Sequence, residues 1–249
     1  MQVGAQFYTI REFCKTPDDL ALSLKKVADI GYRTVQISGT CPYDPQWMKE
    51  QLDLNGLKCI ITHSDPKRMV AEPEAVAKDH DVFGCNYVGL GSYSFNPEKG
   101  HSFDGFMETY VPTAKRLKEC GKYFMYHNHA HEFKKVDGRL IFDKLLESVP
   151  ADIMGFTMDT YWVQVGGGDP AQWIERLSGR VPCIHLKDYS LGAKMAVIGE
   201  GNINFDRVFE TAEKAGTQYM LVEQDNCNGE DPFDCLRRSY EFLRSRGFR

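Results

Sequence analysis

Short apolar runs alternate with longer segments of helical periodicity along this chain, eight times over. That alternation restricts the fold more than any other feature. The apolar runs are Val3–Tyr8, Thr34–Ser38, Lys58–Thr62, Tyr87–Leu90, Tyr123–Tyr126, Met154–Met158, Val181–Ile184 and Tyr219–Val222. Helix starts between them carry a capping residue followed by proline: Thr16-Pro17, Asp44-Pro45, Glu72-Pro73, Asp169-Pro170 and Asp231-Pro232. Gly31, Gly56, Gly84 and Gly179 stop helices. Further helices are expected over Ser102–Cys120, kinked at Pro112, over Phe142–Ser148 and over Phe205–Ala215, with a turn at Asp137-Gly138. Eight short strands alternating with helices predict a parallel sheet closed into a (β/α)8 TIM barrel, in the α/β class. The alternative, an open doubly wound sheet, is disfavoured because no G-x-G-x-x-G follows a strand. Gly166-Gly167-Gly168 lacks that spacing.

A length of 249 residues suits one such barrel, and no linker or low-complexity stretch divides it, so residues 1–249 read as a single domain. A formal net charge of -5 argues against a nucleic-acid partner, which wants a basic surface. The eight cysteines form no C-x-x-C pair, which predicts free thiols in a reducing compartment rather than a thiolate metal site. The N-terminus lacks a basic segment followed by a long apolar one, and no run approaches membrane-spanning length. The expectation is a cytoplasmic protein with no membrane partner. No surface patch decides an oligomeric state, although barrels often form homo-oligomers.

A barrel of this kind collects its chemistry at the C-terminal ends of its strands. Those ends carry Tyr8, Ser38, His63, the stretch Tyr126-His127-Asn128-His129-Ala130-His131-Glu132-Phe133, Asp159, His185 and Glu223. Three of the seven histidines crowd into one stretch after a buried strand, where imidazoles and a carboxylate are costly without a metal or a polar substrate. Alone, an Asp or His at a strand end is more often a cap or surface residue. Four metal-competent groups in one register are much harder to attribute to chance. The mixed oxygen and nitrogen donors suit one divalent metal, Mn²⁺ foremost, with Mg²⁺, Co²⁺ or Zn²⁺ as alternatives. Among the flanking residues, Lys187 supplies a cation and Asp188 a partner to orient His185, or merely a turn residue. Trp162 offers a wall for a sugar ring or packs under its own loop. Glu200 sits between Gly199 and Gly201, reaching a polar ligand or only making a turn. His63 is placed to bind a hydroxyl. His80 and His101 receive no role.

With these residues assembled, the chain resembles the xylose-isomerase-like TIM barrels, the sugar phosphate isomerase/epimerase superfamily. The resemblance rests on Tyr-His-Asn-His-x-x-Glu-Phe (126–133), Asp-Thr-x-Trp (159–162), His-Leu-Lys-Asp (185–188), Gly-Glu-Gly-Asn-Ile (199–203) and Val-Glu (222–223), and covers essentially the whole chain. It implies one metal ion held by Glu132, Asp159, His185 and Glu223. In the tagatose-epimerase-like branch the first Glu lies at the strand end itself. Here His127 stands there, so a metal held by His127 in place of Glu132 would overturn that assignment. The activities implied are metal-assisted isomerisation or epimerisation of a small-molecule carbohydrate through an enediolate. Glu132 and Glu223 would then be the acid–base pair on opposite faces of the carbon, with His63, His127, His129, Trp162, Lys187 and Glu200 holding substrate. The alternative at the same site is elimination from a keto-sugar, keto-inositol or 3-keto-glycoside, with His127 or Lys187 as the acid. An apurinic-site endonuclease shares the superfamily but needs more metal ligands and a basic surface. A non-catalytic sugar-binding barrel leaves the intact ligand set unexplained.

Overall fold

The computed structural model describes residues 1–249. Eight parallel strands close into a barrel: β1 (Gln2–Gln6), β2 (Thr34–Ile37), β3 (Lys58–His63), β4 (Tyr87–Leu90), β5 (Tyr123–His127), β6 (Met154–Asp159), β7 (Cys183–Leu186) and β8 (Tyr219–Val222). Each pairs with its sequence neighbours, and β1 closes on β8 with Ala5 opposite Val222. The helices are α1 (Pro17–Ile30), α2 (Pro45–Leu54), α3 (Pro66–Ala71), α4 (Pro73–Val82), α5 (Phe103–Glu119), α6 (Ile141–Ser148), α7 (Thr160–Val165), α8 (Pro170–Arg176), α9 (Phe205–Ala215) and α10 (Pro232–Ser245). No helix is long and apolar enough to cross a membrane.

The expected helix starts are realised by side chains that accept free N–H groups of the first turn. Thr16 accepts from Asp19, Asp44 from Gln46 and Trp47, Asp169 from Gln172, and Asp231 from Phe233 and Asp234. Glu72 makes no such bond. Helix α5 runs unbroken through Pro112. Asp137-Gly138 turns a two-stranded hairpin, both residues at positive φ, as a tight hairpin turn requires. Three features escaped the pattern: helix α3, helix α7, and the hairpin pairing Asp188–Ser190 with Lys194–Ala196. The first strand is also shorter than its alternation suggested. It ends at Gln6, whose side chain accepts the Tyr8 N–H at 2.7 Å and opens a 3-10 turn over Phe7–Phe13.

The main core, 56 buried apolar residues, fills the space between barrel wall and helices. A smaller cluster of Ile60, Ile61, Met125, Cys183 and Leu221 packs separately. Along each strand side chains alternate faces. Two residues beyond Ile61, Met125, Cys183 and Leu221 come His63, His127, His185 and Glu223, and beyond Gly4 and Thr34 come Gln6 and Gln36. The barrel interior thus changes from apolar to polar within one step of the pleat. At Gly4 the wall is so tight that a Cβ would lie 2.6 Å from Leu221 and Thr34. All eight cysteines are free.

Candidate metal centre and substrate chamber

Four side chains at the strand ends each bind the protein through one polar atom and turn the other toward a common point. His127, last residue of β5, donates from Nδ1 to the Gly91 carbonyl at 2.9 Å, which leaves Nε2 with its lone pair. His185 on β7 donates from Nε2 to the Gln36 side-chain oxygen at 2.7 Å, leaving Nδ1. Asp159 ends β6 and caps α7, its Oδ1 accepting the Trp162 N–H at 2.9 Å, so Oδ2 remains. Glu223 follows β8. Its Oε1 accepts from Gln6 Nε2 at 2.9 Å, and Oε2 remains. The free atoms lie within 4.8 Å of one another, with His127 Nε2 3.3 Å from Asp159 Oδ2 and His185 Nδ1 2.9 Å from Glu223 Oε2. His185 Nδ1 and Glu223 Oε2 are buried, and the polar groups within reach of them are other charged members of the site: each other, and Lys187 Nζ for the carboxylate.

Charge supports the same reading. Asp159, Glu223 and Asp225 surround one ammonium, Lys187 Nζ, at 3.1, 2.9 and 2.9 Å. Burial opposes the ammonium, but the three carboxylates, Asp159 foremost, outweigh it and raise the Lys187 pKa. Three carboxylates against one ammonium leave negative charge in excess in a buried site, and a divalent cation would offset it. The unbalanced field also acts on His185. Burial disfavours its charged form, yet Glu223 and Asp159 raise its pKa to about 9. A set of two imidazoles and two carboxylates, each oriented by a second protein group, fits a divalent metal.

The structure does not bring Glu132 to this group; His127 completes it. Glu132 is fully buried in the loop after β5. One carboxylate oxygen accepts the Tyr126 hydroxyl and lies 3.2 Å from His131 Nε2, while the other accepts the His129 N–H at 2.8 Å. It latches the His-rich loop, with His131 also donating to the Tyr93 carbonyl. Asp188 does not orient His185 either. Its carboxylate accepts the N–H groups of Tyr189, Gly199, Gly201 and Ile203, shaping the Gly-rich loop, and Gln36 takes the orienting role. Glu200 is turned to Arg238 on α10, 3.0 Å away.

Above the four donors lies a chamber of about 390 Å³ lined by Tyr8, Ser38, His63, His127, His129, Lys187, Glu223 and Asp225, among others. His63 is held neutral, its pKa pushed down by burial and then by His127 and His185. Its Nδ1 meets Ser38 Oγ at 3.1 Å and its buried Nε2 has no protein partner. His129 is likewise kept neutral by burial and its Nδ1 is unpartnered. Trp162 packs its ring 5.2 Å from that of His129, with Lys187 Nζ 5.4 Å from the ring centre and its own Nε1 unpaired. Buried nitrogens without protein partners are what a polar ligand satisfies.

Gln6, Gln36 and Asp225 were not singled out in the sequence. Counting by twos from the apolar strand residues reaches both glutamines. Asp225 lies two residues past Glu223, and its pKa is raised to about 6 by burial and then by Glu223.

A closed parallel barrel with a buried His/Asp/His/Glu set at the C-terminal mouth defines an enzyme-type (β/α)8 protein suited to one divalent cation. The chain belongs to the xylose isomerase-like TIM barrel family, whose description matches residues 24–246. It is 24% identical to an inosose dehydratase of Lacticaseibacillus casei over 86% of this chain and 85% of that one. Among solved structures, a sugar phosphate isomerase/epimerase from Parabacteroides distasonis superposes with a TM-score of 0.83 at 22% identity, covering 98% of this chain and 93% of the other. An L-ribulose 3-epimerase gives 0.75 at 15% identity, covering 98% and 94%.

Proposed function

We propose that this protein is a divalent-metal-dependent lyase that eliminates a β-substituent from a keto-sugar or keto-polyol, by removing the proton next to the carbonyl. The observation that carries the reading is the displacement of Glu132 by His127. Epimerisation by two opposed carboxylates needs a second base on the far face of the carbon, and Glu132 is fully buried among Tyr126, His129 and His131, away from the chamber lining to which Glu223 belongs. One carboxylate base and one cationic acid are what an elimination uses. The inosose dehydratase relatives are named for an elimination, the loss of water from an inosose.

His127, Asp159, His185 and Glu223 would hold a divalent metal ion, which when bound would polarise the carbonyl oxygen. Glu223, steadied by Gln6, accepts the α-proton. Lys187 stays an ammonium among Asp159, Glu223 and Asp225, and donates its Nζ proton to the departing oxygen. Asp225 faces the same chamber and returns a proton to Lys187. The unpaired nitrogens of His63 and His129 hold substrate hydroxyls, and Trp162 backs the ring.

The test is incubation of the metal-loaded protein with ketoses, a keto-inositol and 3-keto-glucosides in D₂O. Loss of water or of the β-substituent with formation of an unsaturated ketone supports elimination. Deuterium uptake with the carbon skeleton and mass otherwise retained indicates epimerisation or isomerisation and overturns it. Glu223→Gln is expected to lower turnover by several orders of magnitude while metal is still bound; near-normal turnover removes Glu223 as the base.

A further inference from the structure

Beside the chamber over the metal donors lies a second one, of about 420 Å³, and the two share Ser38, His63 and Ser64 as a common wall. The second chamber sits between the loop after β2 and helices α3 and α4. One side is apolar and aromatic: Tyr43 and Phe83 meet edge to face with ring centres 6.4 Å apart. The other side carries Asp65, Arg68 and Asp79.

The charges there exclude an anionic guest. Arg68 Nη2 is 2.7 Å from Asp79, so its guanidinium is already matched by a carboxylate. Asp65 caps α3, accepting the Arg68 N–H at 2.8 Å, and so places a negative charge where a phosphate would otherwise meet a helix N-terminus. An aromatic side opposite polar groups whose charges are already matched suits an uncharged ring bearing hydroxyl groups.

His63 stands at the junction. A Cβ at Gly91 would lie 3.0 Å from its Nδ1, and one at Gly89 3.1 Å from its Cδ2, so two side-chain-free positions leave room for the ring. Its unpartnered Nε2 provides a hydrogen-bonding group between the chambers.

We infer that the substrate has two rings: a keto ring in the metal chamber and an uncharged, hydroxylated second ring, a sugar, in the chamber of Tyr43 and Asp79, joined through an oxygen beside His63. The inference rests on the elimination reading and makes the second ring, rather than water, the leaving group. The α-proton passes to Glu223, and its electron pair forms the C=C bond as the C–O bond to the second ring breaks. The departing oxygen takes a proton from Lys187. The products are an unsaturated ketone and a free sugar, with no oxidant or water consumed.

The test compares methyl 3-keto-glucoside with the 3-keto form of cellobiose on the metal-loaded protein and on Thr40→Trp. Thr40 lines the second chamber, is only partly buried, and bonds nothing in the metal centre. The two-ring probe should be favoured by about 100-fold in kcat/KM, and Thr40→Trp should erase that preference while leaving the one-ring probe unchanged. Equal use of both probes, or an equal loss on both in Thr40→Trp, overturns the inference. Saturation-transfer NMR with unoxidised cellobiose separates the two readings. Binding that Thr40→Trp abolishes, without elimination of either keto probe, leaves the chamber assignment standing and removes the reaction. No Thr40→Trp-sensitive binding removes the chamber assignment whatever the reaction.

Discussion

Replacing Gln36 by Leu tests the logic of the metal centre without touching any donor. Gln36 Oε1 receives His185 Nε2–H at 2.7 Å, and this bond fixes the tautomer that leaves Nδ1 facing Asp159 and Glu223. Without it, a buried imidazole N–H loses its acceptor, a cost of about 1–3 kcal/mol. The unliganded protein escapes much of that cost, because His185 is free to reorient. The metal-bound form does not, because the metal demands the Nδ1 lone pair. The penalty therefore falls mainly on the bound state. Loss of such an orienting partner costs about 10–100-fold in metal affinity, which is about 1.4–2.7 kcal/mol. Gln36 Nε2 has no partner of its own, so Leu also removes a buried unsatisfied group and the unliganded fold should change little. The assay is competition for Mn²⁺ or Zn²⁺ against a chromophoric chelator, with urea unfolding alongside. Wild-type affinity in Gln36→Leu would refute the reasoning. So would a tenfold loss in Glu132→Gln, because Glu132 lies outside the donor set.

Glu132→Ala should act on stability instead: the Tyr126 hydroxyl and the His129 N–H lose their acceptor, at about 1–3 kcal/mol each. Urea unfolding measures this, and an unchanged midpoint would remove the latch role. His80 gives a pH dependence of known sign. It is buried, donates from Nδ1 to the Val76 carbonyl, and accepts the Thr62 hydroxyl at Nε2; burial pushes its pKa down to about 4. The unfolded chain, with an ordinary histidine near 6.5, binds the proton first. Stability is therefore full above pH 6.5 and falls by about 1.4 kcal/mol per pH unit toward pH 4. Unfolding of His80→Leu across that range should lack this increment of slope; an identical slope would contradict the assignment.

The alternation of apolar strands and capped helices made the barrel legible, because the pairs Thr16-Pro17, Asp44-Pro45, Asp169-Pro170 and Asp231-Pro232 state helix starts in local chemistry; Asp65-Pro66 carries the same signal for α3 and was passed over. Strand ends were harder to read. The run from Val3 looked continuous to Tyr8, but Gln6 folds back on the Tyr8 N–H and stops the strand, a side-chain event that alternation does not encode. That two-residue error hid Gln6. At the fifth strand, Glu132 matched a family position by residue type, while the rise of the pleat had already placed His127 at the mouth. A carboxylate five residues further on lies in a loop whose path depends on Tyr126 and His131. Asp188 failed in the same way: it sits next but two to His185 in sequence, yet the turn at Gly199–Ile203 supplies three N–H groups and Tyr189 a fourth, which outcompete a distant imidazole.

The most direct test of the central claim is X-ray absorption fine structure of the Zn²⁺-loaded protein, which counts the imidazoles on the metal. Two imidazoles with two carboxylate oxygens are expected, falling to one imidazole in His127→Ala. A wild-type spectrum with a single imidazole and an extra oxygen ligand, lost in Glu132→Ala, would contradict the account and restore Glu132 to the metal.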